Sequence, residues 1–218
     1  MAKKKLVHFT ENLSFPHLFQ PRYPELIPEF RMKAHWDGEF FGNDHPIILE
    51  LGCGKGEYTV ALARKYPEKN FIGIDIKGAR LWRGCKTVAE ENLKNVAFIR
   101  SHANNLPNLF APGEVSEIWI TFPDPQPKHE KKRLTSPGII ERYRKVLVPG
   151  GVIHLKTDDE AFYQYTLEVI KETDLHVQWK TEDLYASGTV HDVATVQTYY
   201  ESIWLSEGKK IFYIRYSL

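Results

Sequence analysis

Short apolar runs alternate with longer stretches of helical periodicity over most of the chain. Five apolar runs predict strands: PIILEL (46–51), NFIGIDI (70–76), VAFIRSH (96–102), EIWITF (117–122) and VIHLKT (152–157). Apolar positions spaced three and four apart predict helices over about 57–66, 77–94, 137–147 and 159–173. The sequence VPGG (148–151) predicts a turn before the fifth strand. This alternation is typical of βαβ units, so we predict an α/β fold around a parallel sheet.

The two ends of the chain depart from this alternation. The segments LHVQWKTEDL (175–184) and KKIFYIRYSL (209–218) predict two further strands that close the sheet as an antiparallel hairpin. Residues 10–45 are rich in Pro, His and aromatic side chains and show no clear period. We therefore predict an N-terminal arm over residues 1–45, packed on a single domain over residues 46–218.

Composition places few limits on function. With 218 residues, 42% of them hydrophobic and 26% charged, the chain is typical of an ordinary soluble globular protein with one sizeable core. Lys and Arg number 29 and Asp and Glu number 28, so the chain is almost neutral. A nucleic-acid partner would therefore need a local basic patch.

The sequence favours a reducing, aqueous compartment. Cys53 and Cys85 have no metal-ligand or redox spacing and are too few for a disulfide framework, so we predict a cytoplasmic protein. No apolar stretch reaches the roughly 18 residues of a membrane span, and the start MAKKKLVHFT lacks the apolar core of a secretory signal. The nine histidines form no H-x-x-x-H or carboxylate cluster, so we expect neither a membrane nor a metal as partner.

Three glycines follow the first predicted strand and precede a helix. At Gly52, Gly54 and Gly56 the backbone can turn sharply and leave its N–H groups uncovered at a positive helix end. Asp75 ends the second strand about 20 residues later, where a carboxylate can accept both hydroxyls of a ribose. The order of strand, glycines, helix, strand and acid predicts a site for a nucleoside-bearing cofactor.

The spacing of the loop bears on which cofactor binds. The dinucleotide fingerprint is G-x-G-x-x-G, whereas this loop is acid-x-G-x-G-x-G and begins at Glu50. A pyrophosphate beside Glu50 would be repelled, while the ammonium and sulfonium of S-adenosylmethionine would be attracted. The loop therefore favours a methyl donor over NAD.

The fourth predicted strand leads into ITFPDPQPKHEKKRL (120–134). Asp124 lies between Pro123 and Pro125, which fix their own φ and restrict their neighbours, so we expect a carboxylate held rigidly over the cofactor site. A basic cluster, diluted by one glutamate, follows: Lys128, Lys131, Lys132 and Arg133. Beside a rigid acid at a cofactor site, this cluster predicts a phosphate-binding ribbon.

The motifs LELGCGKG, FPDPQPKHEKKRL, LKTDD and TYYE occur in this order over roughly residues 46–216. In them the chain resembles the bacterial tRNA (guanine-N7-)-methyltransferases, which are class I S-adenosylmethionine-dependent enzymes. The resemblance implies a Rossmann-like, mostly parallel, seven-stranded sheet with helices on both faces and an antiparallel last strand. It also implies S-adenosyl-L-methionine as cofactor, tRNA as partner, and methylation of N7 of a guanine in the variable loop, at position 46 in tRNA numbering.

Carried over position by position, the resemblance assigns roles to single residues. It implies that Glu50 and Asp75 contact the methionine and ribose ends of the cofactor, and that Asp124 is the catalytic residue, beside the methyl group and the guanine. The substrate-contacting positions of the family fall on Lys128, Asp158, Thr198, Tyr200 and Glu201.

The chain departs from the family pattern at two places. Where the family has an acid that contacts adenine, this chain has SHANN, so His102 or Asn104 would bind the adenine through neutral hydrogen bonds. Gln126 replaces the family's tryptophan, and the basic ribbon is about two residues shorter. Tyr200 and its aromatic neighbours at helical spacing fit either a stack on a flipped base or the core.

The chemistry needs few side chains. Guanine N7 has a lone pair in the ring plane and no proton to lose, so we expect alignment to dominate and Asp124 to hold the guanine rather than act as a base. An NAD-dependent oxidoreductase is one alternative, disfavoured by the glycine spacing and the lack of an obvious proton donor. A non-catalytic RNA-binding protein with a methyltransferase fold is the other, suggested by Gln126 and the short ribbon. The sequence leaves open a monomer or a homodimer.

Overall fold

The computed structural model describes residues 2–26, 30–188 and 196–218. The helices in these ranges are α1 (Ala2–Glu11), α2 (Glu57–Lys65), α3 (Gly78–Glu91), α4 (Leu106–Leu109), α5 (Pro137–Tyr143), α6 (Glu160–Glu172) and α7 (Tyr199–Ser206). The strands are β1 (Leu18–Phe19), β2 (Ile47–Leu51), β3 (Asn70–Asp75), β4 (Val96–Arg100), β5 (Val115–Thr121), β6 (Leu147–Thr157), β7 (His176–Thr181) and β8 (Phe212–Ser217). No helix in the described ranges is both long enough and apolar enough to cross a membrane.

All strands form one sheet in the order β1-β4-β3-β2-β5-β6-β8-β7. Strand β8 is antiparallel to both neighbours, β6 and β7, and the other pairs are parallel. This confirms the predicted α/β fold with its antiparallel last strand. Among the described residues the sheet has eight strands rather than the predicted seven, because Leu18 and Phe19 pair with β4 as an additional short strand.

The direction of strand order reverses between β2 and β5. From β2 the chain proceeds outward through β3 to β4, and β5 then returns to the other side of β2 and continues to β6. In open parallel sheets, ligands bind in the crevice that such a reversal leaves at the carboxyl ends of the strands. The last residues of β2 and β5 are therefore the part of the sheet where a site is expected.

Both faces of the sheet are covered, which explains the continuous apolar runs. Ile47 and Leu49 of β2 pack in the core on one face, and Ile48 between them packs in the core on the other face. Strands buried on both faces carry apolar residues at every position instead of alternating with polar ones. Helices α2 and α3 cover the second face through residues such as Val60 and Leu81.

The segment before β2 packs into the core through aromatic side chains. Trp36 is completely buried, lies parallel to Phe110 with ring centroids 5.7 Å apart, and donates its indole N–H to the carbonyl of Leu109 at 3.1 Å. The elements here are short, and one of them is a single π-helical stretch over Trp36–Phe41. Because no element is long, the segment shows no periodicity in its sequence.

The local structure differs from the sequence prediction at the 148–151 turn and in helices α1, α4 and α7, which the periodicity did not predict. The predicted turn at 148–151 lies inside β6, where the register with β5 shifts from Val115 opposite Leu147 to Glu117 opposite Val152. Helix α7 was not predicted, although Thr198 and Glu201 form a capping box at its start, a pattern typical of a helix N-terminus.

Candidate active site

The glycine loop after β2 has the open backbone that its sequence predicts. Gly52, Gly54 and Gly56 have φ of +74°, +58° and +71°, a region that glycine adopts without steric cost. A Cβ atom at Gly56 would lie 2.5 Å from the Phe98 ring, so a larger residue would displace that ring. Helix α2 begins at Glu57, directly after the loop, so the turn joins the end of β2 to a helix N-terminus.

Glu50 lies near the carboxyl end of β2 with only 4% of its surface exposed. Its Oε1 accepts a hydrogen bond from the Thr121 hydroxyl at 2.6 Å, and its Oε2 accepts one from the Thr59 backbone N–H at 2.8 Å and one from the Thr59 hydroxyl. Burial raises the pKa of Glu50 to about 7, against the opposing effect of these hydrogen bonds. A cation bound next to this carboxyl would favour its ionised form.

Asp75 ends β3 and faces the same loop. Its Oδ2 accepts from the backbone N–H of Gly54 at 2.9 Å, and its Oδ1 accepts from the backbone N–H of Lys77 at 2.7 Å. The two bonds orient the carboxylate, and each oxygen keeps a lone pair for a further donor. Ile76, directly after it, is an apolar side chain that is 47% exposed at the edge of the cleft.

Two adjoining cavities form one cleft along the carboxyl ends of the strands. The first, about 300 Å³, is lined by residues that include Glu50, Tyr58 and Thr121. The second, about 500 Å³, is lined by residues that include Asp75 and Asp124. The two cavities share three lining residues: Gly52, Arg80 and Phe122. A cleft of this size suits a small-molecule ligand.

Both candidates for the adenine contact line the second cavity. His102 and Asn104 are exposed, and they belong to the loop that follows β4. The backbone carbonyl of Asn104 accepts from the Arg142 guanidinium at 3.2 Å, which ties this loop to α5. The structure therefore places both side chains at the same end of the cleft as Asp75.

The loop that carries Asp124 is tightly constrained. Phe122 and Gln126 both have positive φ, +48° and +46°, a conformation that costs free energy in residues other than glycine and is concentrated at functional sites. The backbone N–H of Gln126 donates to Asp124 Oδ1 at 3.0 Å, and that of Phe122 donates to the carbonyl of Lys156 at 2.7 Å. Asp124 is exposed at the edge of the cleft.

The basic ribbon divides into two groups. Lys128, Lys131 and Lys132 are exposed, and the last two line the cleft. Arg133 is only 6% exposed: its Nε donates to the carbonyl of Pro125 at 2.8 Å, and its guanidinium lies 4.2 Å from the centroid of the Tyr165 ring. Arg133 therefore does not belong to the exposed phosphate-binding group that the sequence predicts, because its buried side chain stabilises the Asp124 loop.

The TYYE motif forms the first turn of α7. Thr198 is the N-cap, lines the first cavity, and its hydroxyl accepts from the Glu201 backbone N–H at 3.2 Å. Glu201 is fully buried and accepts a hydrogen bond from the Tyr185 hydroxyl at 2.6 Å. It is also paired with Lys156 of β6, at 2.6 Å between Nζ and Oε1. Glu201 thus builds the wall of the cleft instead of facing a substrate.

The remaining predicted residues are Asp158 and Tyr200. Asp158 follows β6, is half-buried, and its pKa is raised mainly by burial. It lines neither of the two cavities that form the cleft. The backbone of Tyr200 belongs to α7, and its side chain lies outside the described part of the structure. Asp158 and Tyr200 therefore keep their predicted roles as predictions.

Trp204, one of the aromatic neighbours of Tyr200, lines the first cavity. Several other residues at or beside the cleft were missed by sequence reasoning. Among them, Ile76 and Arg80 follow the acid at the end of β3, and Lys156 lies in the apolar run of β6. A lysine inside an otherwise apolar strand was the one available signal, because a buried cation needs a paired anion.

Neither a reactive thiol nor a metal cluster is found in the described ranges. The Cys53 thiol is buried inside the glycine loop, and burial raises its pKa well above the usual range, so the thiol stays protonated. Among residues 2–26, 30–188 and 196–218 there is no group of three or more His, Cys, Asp and Glu side chains placed to hold a metal ion.

Several solved structures similar to this fold are methyltransferases. The 16S rRNA methyltransferase KamB matches with a TM-score of 0.65 at 15% identity, covering 83% of this chain and 91% of KamB. A SAM-dependent methyltransferase from Aquifex aeolicus matches with a TM-score of 0.55 at 17% identity, covering 81% and 85% of the two chains. With the strand order and the glycine loop, these likenesses define the fold as that of a class I methyltransferase.

Comparisons of sequence place the chain within that class. The model of a family described as "Putative methyltransferase" matches residues 44–214. The tRNA (guanine-N(7)-)-methyltransferase of Bacteroides thetaiotaomicron is 51% identical over 100% of this chain and 87% of its own length. The protein of the same name from Christiangramia forsetii is 51% identical over 100% and 99% of the two chains. The chain belongs to the tRNA (guanine-N(7)-)-methyltransferase family, which confirms the resemblance seen in its motifs.

Proposed function

We propose that this protein transfers the methyl group of S-adenosylmethionine to N7 of a guanine in the variable loop of tRNA, at position 46, in the cytoplasm. One observation carries the proposal. A single cleft holds two oriented carboxylates at the ends of β2 and β3, and a third carboxylate, Asp124, lies at its edge beside exposed lysines. The first two suit a cationic nucleoside, and the edge suits a nucleotide of an RNA chain.

The residues of the cleft fit the parts of S-adenosylmethionine. Asp75 has free lone pairs for the ribose hydroxyls, and Ile76 offers an apolar surface beside it for the adenine ring. His102 and Asn104 lie at the same end and can donate to or accept from the adenine edge. Glu50 lies in the other cavity, where its carboxylate suits the ammonium of the methionine part. The cofactor supplies an activated methyl group on a sulfonium.

The buried Glu50 also weighs against a dinucleotide at this loop. A pyrophosphate would lie close to the loop N–H groups, and hence close to a carboxyl group that a negative charge would disfavour further. The NAD-dependent alternative therefore has no support from the geometry.

In this proposal, Asp124 holds the target base. Its Oδ1 already accepts the Gln126 N–H, and its other oxygen accepts no hydrogen bond within the described residues. A carboxylate accepts the N–H donors on the Watson–Crick edge of guanine, which leaves N7 on the opposite edge free to meet the methyl group. The ring gains positive charge as the methyl group is transferred, and a nearby carboxylate stabilises that charge.

The rest of the substrate is bound by neighbouring residues. The exposed Lys128, Lys131 and Lys132 suit phosphates of the RNA backbone, which fix position without reading sequence. Thr198 and Asp158 remain candidates for contacts to the target nucleoside. Glu201 acts indirectly, because its carboxylate is used by Lys156, Tyr185 and the helix cap.

Methylation of a tRNA transcript tests the proposal. The protein is incubated with an unmodified transcript and S-adenosylmethionine that is labelled in the methyl group, and the RNA is digested to nucleosides. We expect the label in N7-methylguanosine, and its loss when position 46 of the transcript is changed from G to A. Label that persists in the changed transcript would move the target elsewhere. Binding of tRNA without any transfer would favour the non-catalytic alternative.

A further inference from the structure

The second cavity of the cleft is lined by more cationic side chains than carboxylates. The second cavity is lined by two carboxylates, Asp75 and Asp124, and by four cationic side chains: Lys77, Arg80, Lys131 and Lys132. S-adenosylmethionine carries a sulfonium and an ammonium against a single carboxylate, so it gives no reason for a surplus of positive charge. Polyanions do, because each phosphate of an RNA chain is a fixed negative charge.

The four cations lie on two different segments of the chain. Lys131 and Lys132 belong to the ribbon after β5, in a 3₁₀ turn over Glu130–Lys132. Lys77 and Arg80 belong to the turn after β3 and to the first turn of α3. Because β3 and β5 flank β2 on opposite sides, the two pairs are carried by opposite sides of the cleft. The ribbon motif accounts for only one of these sides.

Arg80 has a special position among the four. It lines both cavities, so it lies where the cavity next to Asp75 meets the cavity next to Glu50 and Thr198. It is exposed, and within the described residues its guanidinium makes no ion pair, side-chain hydrogen bond or ring contact. Because the described residues give the Arg80 guanidinium no such partner, its N–H donors are available to a ligand in the cleft.

We propose that Arg80, supported by Lys77, binds phosphates of the tRNA on the side of the cleft opposite the lysine ribbon. The RNA backbone then crosses the cleft with charged contacts on both sides, and the target guanosine enters between them beside Asp124. A guanidinium suits this position because it can bind a phosphate through two parallel hydrogen bonds. This inference rests on the proposed function, since it takes tRNA as the substrate.

The chain offers a matched control on the same helix. Arg83 is also exposed, but its guanidinium lies 3.9 Å from Glu90 and it lines neither cavity of the cleft. Arg80→Gln and Arg83→Gln therefore remove the same charge from the same helix, once inside the cleft and once outside it. Neither side chain is buried, and the melting temperature of each variant checks that the fold is retained.

Binding of tRNA is measured without turnover, in the presence of S-adenosylhomocysteine and over a range of KCl concentrations. We expect Arg80→Gln to raise the Kd for tRNA about tenfold, as for a lost charge-assisted bond, and to reduce the log–log salt slope by about 0.7 to 0.9. Arg83→Gln should leave both values near those of the wild type. Calorimetric binding of S-adenosylhomocysteine alone should be the same in all three proteins.

Two results would overturn the inference. Equal tRNA affinity and salt slope for the two variants would mean that Arg80 does not contact the RNA. Weaker binding of S-adenosylhomocysteine by Arg80→Gln, with an unchanged salt slope, would assign Arg80 to the cofactor's carboxylate instead. These outcomes are separate from a failure of the proposed function, because the binding measurement does not depend on methyl transfer, and the transfer assay uses the wild type.

Discussion

Lys156 of β6 and Glu201 of α7 form an ion pair, 2.6 Å between Nζ and Oε1, with both side chains completely buried. The Lys156 ammonium also donates to the carbonyl of Val196 at 3.1 Å, and Glu201 Oε2 accepts from the Thr198 backbone N–H at 3.2 Å. The pair therefore fixes the start of α7 against the sheet. Thr198 and Trp204 line the cleft because α7 is held there.

Breaking this pair should destabilise the protein strongly. Glu201→Gln leaves a buried ammonium without its anion, which costs about 3 to 5 kcal/mol in the free energy of unfolding. Urea unfolding measures the loss. Glu91→Gln is the matched control: Glu91 pairs with Arg64 at the surface, and the loss of an exposed pair changes stability little.

A double variant separates the charge from the packing. In Lys156→Met/Glu201→Leu no charge is left buried, so we expect most of the lost stability to return. A Glu201→Gln variant as stable as Glu91→Gln would show that the buried pair contributes little to the fold.

The raised pKa of Glu50 makes stability depend on pH. Its pKa is about 7 in the folded protein without cofactor, above the usual value of 4.5. Between these values the folded state holds one proton more than the unfolded state. The contribution of Glu50 to the free energy of unfolding therefore falls as pH rises, and it stays constant above pH 7. Compared with Glu50→Gln, the wild type should lose at most about 3 kcal/mol of unfolding free energy between pH 5 and 7. Urea unfolding of both proteins at several pH values measures this difference. Parallel profiles of stability against pH would contradict the prediction.

Cofactor binding should respond to the same proton. If the methionine ammonium lies beside Glu50, binding favours the carboxylate and releases a proton near pH 7. The affinity for S-adenosylmethionine should then rise between about pH 6 and 8 in the wild type, and stay flat in Glu50→Gln. Calorimetry in two buffers that differ in ionisation enthalpy detects the released proton, and its absence would place the ammonium elsewhere.

Asp124 should act by position and charge rather than as a base. Asp124→Asn turns one acceptor into a donor that faces the guanine's own donors, so kcat/KM for tRNA should fall by roughly 10² or more. The single-turnover rate of the wild type at saturating cofactor should be nearly flat from about pH 6 to 8.5, because guanine N7 has no proton that a base must remove.

Asp174→Asn is the control for this substitution. Asp174 lies in the turn before β7, away from the cleft, at φ +52°, which asparagine tolerates. The kcat/KM of Asp174→Asn for tRNA should match that of the wild type. A tenfold rise in wild-type rate between pH 6 and 8 that disappears in Asp124→Asn would restore Asp124 as a general base.

Asp75 should contribute to cofactor affinity and to the shape of its loop. Asp75→Ala removes an acceptor for two ribose hydroxyls, so binding of S-adenosylmethionine should weaken by about 1.5 to 3 kcal/mol. It also leaves the N–H groups of Gly54 and Lys77 without their acceptor. Calorimetric affinity equal to that of the wild type would refute the ribose assignment.

The predictable parts of the site are those encoded within a few neighbouring residues. The glycine loop needs positive φ at three positions, Asp75 ends an apolar strand, and Asp124 lies between two prolines shortly after another, so their sequences reveal them. Arg133 shows the limit of such reasoning. Its charge fits the ribbon motif, yet its guanidinium is buried against Tyr165 and Pro125.

By itself the sequence determined the α/β class, the glycine loop, the acids at the strand ends and the family, because periodicity and motifs are local properties of the chain. The tertiary structure alone decided which side chains meet. It paired Lys156 with Glu201, 45 residues away in the chain, and placed Arg80 across the cleft from the lysine ribbon. Such contacts depend on strand order and on which face of an element is buried, and neither is written in the residues next to them.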